Sequence, residues 1–470
     1  MANATGLEAR AARLAWRVPE ALALDARSVA LFRIALGSLL LLDVRERVGF
    51  LDIFYTDDGL VSRTAARALW TLVLPHALPP WSFHLLGGSS AFAGALFAVE
   101  AFSAVLLVVG YRARAAAVCA YVLVLSSFQR NVLVTGGDDA MLAVFLLFAA
   151  FLPLDDAVSV TAWRRKPRTA VATFSLGSFA FTAQLVMVLV FAGLQKIVSS
   201  AAWREGSAIH EILRGIPATS FGIWLGHWPL LDCALNYAAL GAELVAPLFL
   251  IVPVSPGVRM AAIVYVAGNL LGFAAALDVG RLPWLALAAL VAHVPRDVWR
   301  HADVARAPSS PATRAVVVVV LLHAFVYNVA RLGRDVAAPA WLEAPCGVLV
   351  PRQGWGMFRA VGEGVPEWYV VAGTHRGDVA PSVRLPDARP LDFGPDASVA
   401  RLQGTSRWAY FWARAELFAS DYPDVVQRYL ARQCAAADLG AVELVHVEVR
   451  AGALVRQTIG SHDCAKRPAQ

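Results

Sequence analysis

Lys196 ends a long apolar run in VLVFAGLQKIVSSAAWREG, and it is one of three lysines in the chain, with Lys166 and Lys466. The rest of the 41 lysine and arginine residues are arginine. The choice matters, because a desolvated lysine can release its proton whereas an arginine keeps its charge, with a pKa above about 12. A lysine made neutral beside lipid can act as a general base toward an amphipathic substrate. The plainer reading is a lysine that snorkels its ammonium to the headgroups and does no chemistry.

Other polar residues accompany it. The stretch FQRNVLVTGGDDAML carries Arg130, Asn131, Asp138 and Asp139. Of these, Arg130, Asn131 and Asp138 are candidates to line or support a substrate pocket, although Asp138 after two glycines also suits a helix N-cap. Glu100 and Glu243 fall inside apolar runs. A carboxyl group there must be protonated, paired across helices or turned toward a cavity, and Glu243 is a candidate for the last role. No Walker, GxSxG or HExxH motif is present. The five cysteines show no CxxC or other metal-ligand spacing, so no metal is expected.

The elements that must position these residues are membrane helices. The chain is 58% hydrophobic and 16% charged over 470 residues, with a mean hydropathy of +0.58, whereas soluble domains are about a quarter charged. Apolar runs approaching the ~20 residues that span a bilayer core suggest roughly nine spans, near 28–44, 89–110, 113–128, 138–154, 172–195, 230–253, 258–277, 281–294 and 313–330. The expected fold is an all-α polytopic bundle followed by a small extracytoplasmic α+β domain. Residues 1–27 read as a basic amphipathic helix on the cytoplasmic surface, not a signal peptide. Alternation from a cytoplasmic N-terminus puts the arginine-rich GYRARA, TAWRRKPR and PRDVWRHADVARAPSSPATR on the cytoplasmic side. Lys196 then lies at the outer end of the fifth span. Arg130, Asn131 and Asp138 lie at the outer mouth between the third and fourth.

With nine spans making up a domain of residues 28–330, residues 331–470 are exported. They contain strand-like EWYVVAG and AVELVHVEV and a helix-like SRWAYFWARAELFASDYPDVVQRYLARQC. Cys346, Cys434 and Cys464 would meet an oxidising compartment, where one disulfide is expected. Cys434–Cys464 is one of the pairings open to it. Membrane lipid is the expected surrounding. Nothing resembles a nucleic-acid surface, since no basic cluster is interleaved with aromatics. The absence of repeated halves with broken helices weighs against a carrier.

Several stretches, taken in order, resemble the HTTM family of membrane proteins related to vitamin K-dependent gamma-glutamyl carboxylase. They are LFRIALGSLLLLDVRERVGFLDIFYTDDGLVSR, GYRAR, QRNVLVTGGDD, FLPLDDAVSV, FAGLQKIVSSAAWREGSA and LGAELVAPLFLI, followed by PRQGWGMF. The resemblance covers about residues 28–360. It implies reduced vitamin K or another quinol as co-substrate, epoxidation of that quinol, and carboxylation of glutamates in a secreted peptide. It places the general base at Lys196, in a Gly-x-x-Lys followed by Trp-x-x-Gly, with Trp203, expected to bind substrate, and Gly206 in register. The arginine and alanine bias suggests a bacterial inner-membrane homologue. The alternative is a non-enzymatic membrane partner that binds or matures a secreted peptide through its exported domain. The enzyme reading requires Lys196 to open onto an apolar cavity able to hold a quinone ring.

Overall fold

The computed structural model describes residues 22–165, 171–215, 218–300, 303–333, 338–359, 361, 367–436, 439–450 and 453–465. The expected N-terminal surface helix lies outside the described residues except for its last few positions.

A helix stands at each of the nine predicted positions: α1 (Ala26–Gly49), α2 (Ser90–Val109), α3 (Ala113–Arg130), α4 (Gly137–Ala149), α5 (Leu176–Ser199), α6 (Pro229–Leu244), α7 (Pro256–Ala276), α8 (Leu282–Val291) and α9 (Pro311–Ala330). Their starts follow from local chemistry. Asp25, Ser89, Ser175, Ser255 and Ser310 each accept a first-turn backbone N–H, satisfying donors that have no partner within the helix. Proline opens α6, α7 and α9, where its missing N–H costs nothing.

Five of these helices are long and apolar enough to cross a membrane: α2, α5, α6 with its 3-10 extension to Leu250, α7 and α9. The protein is therefore an integral membrane protein, but nine full spans do not follow. With 13 and 10 residues, α4 and α8 rise only about 20 and 15 Å, against a hydrocarbon core of ~30 Å. They are instead interior helices, buried over most of their length, and α8 packs on α1, α4 and α7. In α7 and α9 only 22% of the apolar window is buried within the protein, so lipid must cover the rest.

Two sheets sit at opposite ends of the bundle. The strands β1 (Leu24–Asp25), β2 (Val171–Phe174) and β3 (Asp303–Arg306) lead into α1, α5 and α9 and join in the order β1-β2-β3. At the other end, after α9, residues 338–359 form a strap that returns over the bundle, and the C-terminal domain follows. Its sheet is antiparallel, in the order β6-β5-β4-β7-β8, made of β4 (Glu367–His375), β5 (Val383–Leu385), β6 (Arg389–Pro390), β7 (Leu439–Arg450) and β8 (Ala453–Asp463). The two strand-like patches read from sequence are β4 and β7. Alternation puts Tyr369, Val371, Val442 and Leu444 against the helices, and Trp368, Val370, Val445 and Val447 against Phe393 and Ala397. Helix α10 (Ser406–Trp412) fits its Trp408 ring against Phe54 of the bundle, 4.7 Å between centroids. Helix α11 (Pro423–Ala436) lies along β7 and β8, and Cys434 is disulfide-bonded to Cys464. Cys346 remains a buried thiol, and burial pushes its pKa up to about 12.

Candidate functional site

Lys196 lies in the last turn of α5 and Glu243 near the end of α6. The helices run antiparallel, and Gly193 lets them close: a Cβ there would stand 2.7 Å from the Leu244 side chain and 3.1 Å from the Glu243 Cβ. In this close approach Lys196 Nζ donates to both Glu243 oxygens at 2.6 Å. The lysine is 3% exposed and the glutamate 6%. Snorkelling is therefore not what this lysine does. It points inward, to an acid supplied by the neighbouring helix.

The pair forms part of the wall of a cavity of about 420 Å³. Met141, Val188, Leu189, Leu270 and Phe273 make the cavity largely apolar, and the strap roofs it with Trp355 and Met357. Trp203 supports the pair from behind. Its ring centroid lies 5.3 Å from Lys196 Nζ, its indole N–H donates to the Phe358 carbonyl at 2.7 Å, and its own carbonyl accepts from Asn236 at 3.0 Å. Gly206 ends the short helix Ala201–Glu205 at φ +86°, where a Cβ would also meet Cys233 Sγ at 2.8 Å. Gly-x-x-Lys and GWGMF thus meet at one chamber, while Trp203 and Gly206 of Trp-x-x-Gly stand behind its wall and outside its lining.

Arg130, Asn131 and Asp138 do not join that lining. Arg130 donates to the carbonyls of Val61 and Thr56, both at 2.9 Å, with Asp57 at 3.8 Å. Asn131 bridges the Phe54 carbonyl and the Leu133 N–H. Both tie down the segment after α1. Gly136 rather than Asp138 is the N-cap of α4, and Asp139 completes that cap by accepting the Gly136 N–H at 2.7 Å. Asp138 accepts from the Tyr410 hydroxyl at 2.8 Å and lies 3.1 Å from Arg281. Because Tyr410 lines the cavity, Asp138 stands one residue behind its wall. Glu100 is fully buried, with no hydrogen-bond partner for either oxygen among the described residues.

Four further residues were not singled out in the sequence. Arg407 of α10 enters the bundle to meet Asp139 at 2.6 Å and Asp43 of α1. Arg47 bonds Asp43 at 2.7 Å, Asp139 at 2.6 Å and the Tyr55 hydroxyl at 2.7 Å, while Arg281 reaches Asp43 at 2.9 Å and also pairs with Glu46. Burial opposes the Arg407 charge, but Asp139 and Asp43 hold its pKa well above the ordinary arginine value. Asp43 and Arg47 carry one local signal, opposite charges four residues apart in LDVRER. Arg281 and Arg407 carry none.

The chain matches the HTTM domain over residues 22–299, more than half its length. No curated protein and no solved structure matches it.

Proposed function

Because the chain belongs to the HTTM family, whose domain is found in vitamin K-dependent gamma-carboxylase and related proteins, we propose that it is a membrane enzyme of the carboxylase type acting on a quinol. Its place is a bacterial inner membrane, with the N-terminus cytoplasmic and the C-terminal domain outside. The observation that carries this reading is the buried Lys196–Glu243 pair on the wall of an apolar cavity. At about 420 Å³ the cavity is in the size range of small-molecule sites. Its aliphatic and aromatic lining suits a quinone ring, and the pair is its proton-handling wall.

A bound quinol supplies a hydroxyl proton and the reducing equivalents that an epoxidation with oxygen consumes. The protein's part is to take up that proton. Lys196 and Glu243 together hold one exchangeable proton, either as ammonium and carboxylate or as amine and carboxylic acid. Both forms accept one more proton, and both end as ammonium beside carboxylic acid. The base is therefore the pair rather than the lysine alone, and Lys196 remains as a cation facing the oxygen that has lost its proton. Arginine could not fill this position, because it would not share the proton. Trp203 and Gly193 hold the pair in register, and Trp355 and Met357 of the strap cover part of the cavity. Carboxylation of a peptide glutamate brought by the C-terminal domain is the second half of the proposal.

The test is a quinol epoxidation assay on purified protein in detergent, wild type beside Lys196→Ala, with oxygen and with or without glutamyl peptide and labelled bicarbonate. Lys196-dependent epoxide is the expected result, and label in the peptide establishes carboxylation. Folded protein that makes no epoxide from any of several quinols moves the assignment to a non-enzymatic peptide-binding partner.

A further inference from the structure

At the end of the bundle that carries the β1-β2-β3 sheet lies a cavity of about 600 Å³. Its walls are α3, α4 with the turn after it, and the segments that lead into α5 and α9. Because α5 and α9 are long and apolar enough to cross a membrane, their first turns stand at the level of one bilayer face. The cavity shares no lining residue with the Lys196 chamber. What it holds is therefore independent of the quinol reading.

Its lining changes along its length. On α3, Arg114, Val118, Tyr121 and Val122 recur at helical spacing and face it together, over about 12 Å of rise. Beyond Arg114 the walls are apolar, with Leu146 and Leu147 of α4 added to the two valines. Tyr121 belongs to that part, since its hydroxyl is committed to the Leu349 carbonyl at 2.9 Å.

The end at Arg114 is polar. Arg114 Nε donates to the Leu152 carbonyl at 2.8 Å, which holds the guanidinium in place, and both Nη groups are without a partner among the described residues. Asp155 does not neutralise it, and accepts instead the N–H of neighbouring Ala113 at 3.0 Å. Arg112 and Arg164, both over the Tyr111 ring, add positive charge at the same end. Thr173 of β2 and Ser309 ahead of α9 also line the cavity, and neither hydroxyl has a hydrogen bond among the described residues. Thr173 is only 9% exposed, so its hydroxyl is a buried donor with nothing to bond. A guanidinium with free amino groups and two unpartnered hydroxyls thus stand at the mouth of an apolar slot. Donors for an anionic head beside room for a hydrocarbon chain are the chemistry of an amphiphile site.

We propose that this cavity binds an anionic phospholipid of the leaflet on this side, with its phosphodiester on Arg114, Thr173 and Ser309 and an acyl chain between α3 and α4. The apolar depth favours a lipid over free phosphate, which would leave most of the slot unfilled. A lipid bound only by the folded bundle stabilises it by mass action.

The test starts from delipidated full chain in detergent. Phosphatidylglycerol, diacylglycerol with the same chains and inorganic phosphate are each added, with retained lipid read by native mass spectrometry and the thermal midpoint measured alongside. The expected result is retention of phosphatidylglycerol with a rise in midpoint, and neither effect from the other two probes. Arg114→Gln should weaken retention about tenfold or more, and Arg114→Lys less. Ser309→Asp places a repelling charge at a loop position that makes no side-chain hydrogen bond, so it should spare the fold and weaken retention as well. Equal retention of diacylglycerol, equal stabilisation by inorganic phosphate, unchanged retention in Arg114→Gln or Ser309→Asp, or no retention by folded wild type overturns the proposal.

Discussion

Two groups of buried charge lie within this protein, and they differ in how many partners each holds and where those partners come from. At the seam between bundle and C-terminal domain, Asp43 and Asp139 receive Arg47, Arg281 and Arg407, and Tyr55, Tyr410 and backbone groups take up the bonds at the margins. At the cavity, a single lysine meets a single glutamate. Nζ has a third N–H and the carboxylate has further lone pairs, both available to a ligand. Partners drawn from both the bundle and the C-terminal domain mark the first group as a fastening, even though Arg407 Nε, Arg281 Nη2 and Asp138 Oδ2 have no hydrogen bond of their own among the described residues. Spare hydrogen-bonding capacity beside an apolar space is what the chemistry proposed for the second requires. Buried charge alone distinguishes nothing, since each group is almost completely removed from solvent.

The comparison breaks first at Arg407. Arg407→Ala leaves Asp43 and Asp139 buried without the partner that crosses from the other domain, and removing one member of such a set costs about 3–5 kcal/mol. The expected outcome is a lower thermal midpoint in detergent and faster proteolysis of the C-terminal domain. A midpoint within a degree of wild type would show that the arginine fastens nothing.

At the cavity the same logic predicts a different pattern. Lys196→Ala strands the Glu243 carboxylate and should cost a comparable amount of stability together with all quinol-dependent turnover. The double variant Lys196→Met/Glu243→Leu removes both charges and should recover most of the stability without the turnover, because an apolar pair can replace a buried ion pair at little cost. Glu243→Gln keeps the shape while removing the carboxylate that shares the proton, and turnover should fall by about 10²–10⁴. Recovery of turnover in the double variant would reduce the pair to a structural contact.

Gly193→Ala sharpens the geometric half of the argument. The added methyl group meets Leu244 at 2.7 Å, so α5 and α6 must separate or Leu244 must move. A cost of about 1–3 kcal/mol is expected. If the helices separate, turnover should fall further than this loss of stability explains, since the 2.6 Å contacts depend on their approach.

The positions of the nine helices and of β4 and β7 were legible from apolar runs and alternation, because those patterns are local. The short rise of α4 and α8 was not, since an apolar run shows burial without saying whether lipid or protein supplies it. Lys196 and Glu243 each stood out as a polar group in an apolar run, but their pairing depends on how α5 and α6 lie against each other. Arg130 and Asn131 show the same limit. Position along the chain gives a residue its depth but not its direction, and theirs is toward loop carbonyls rather than the cavity. Arg407 was the least legible, because it reads as one more charge on an amphipathic helix until that helix is docked.

The smallest effect is expected where the two groups touch. Tyr410 lines the cavity with its ring and donates its hydroxyl to Asp138, which lies close to Arg281 of the seam. Tyr410→Phe keeps the ring and removes the donor. Loss of a hydrogen bond to a buried carboxylate costs about 1.5–3 kcal/mol at most, and less where the acid keeps a second cationic neighbour. A drop of about 1 kcal/mol in stability is therefore expected, with quinol turnover within about threefold of wild type. If the seam and the cavity work independently, the effects of Tyr410→Phe and Glu243→Gln on turnover should add in the double variant. A non-additive result would mean that the fastening sets the position of the cavity wall, and that the charges at the seam take part in the chemistry through Tyr410.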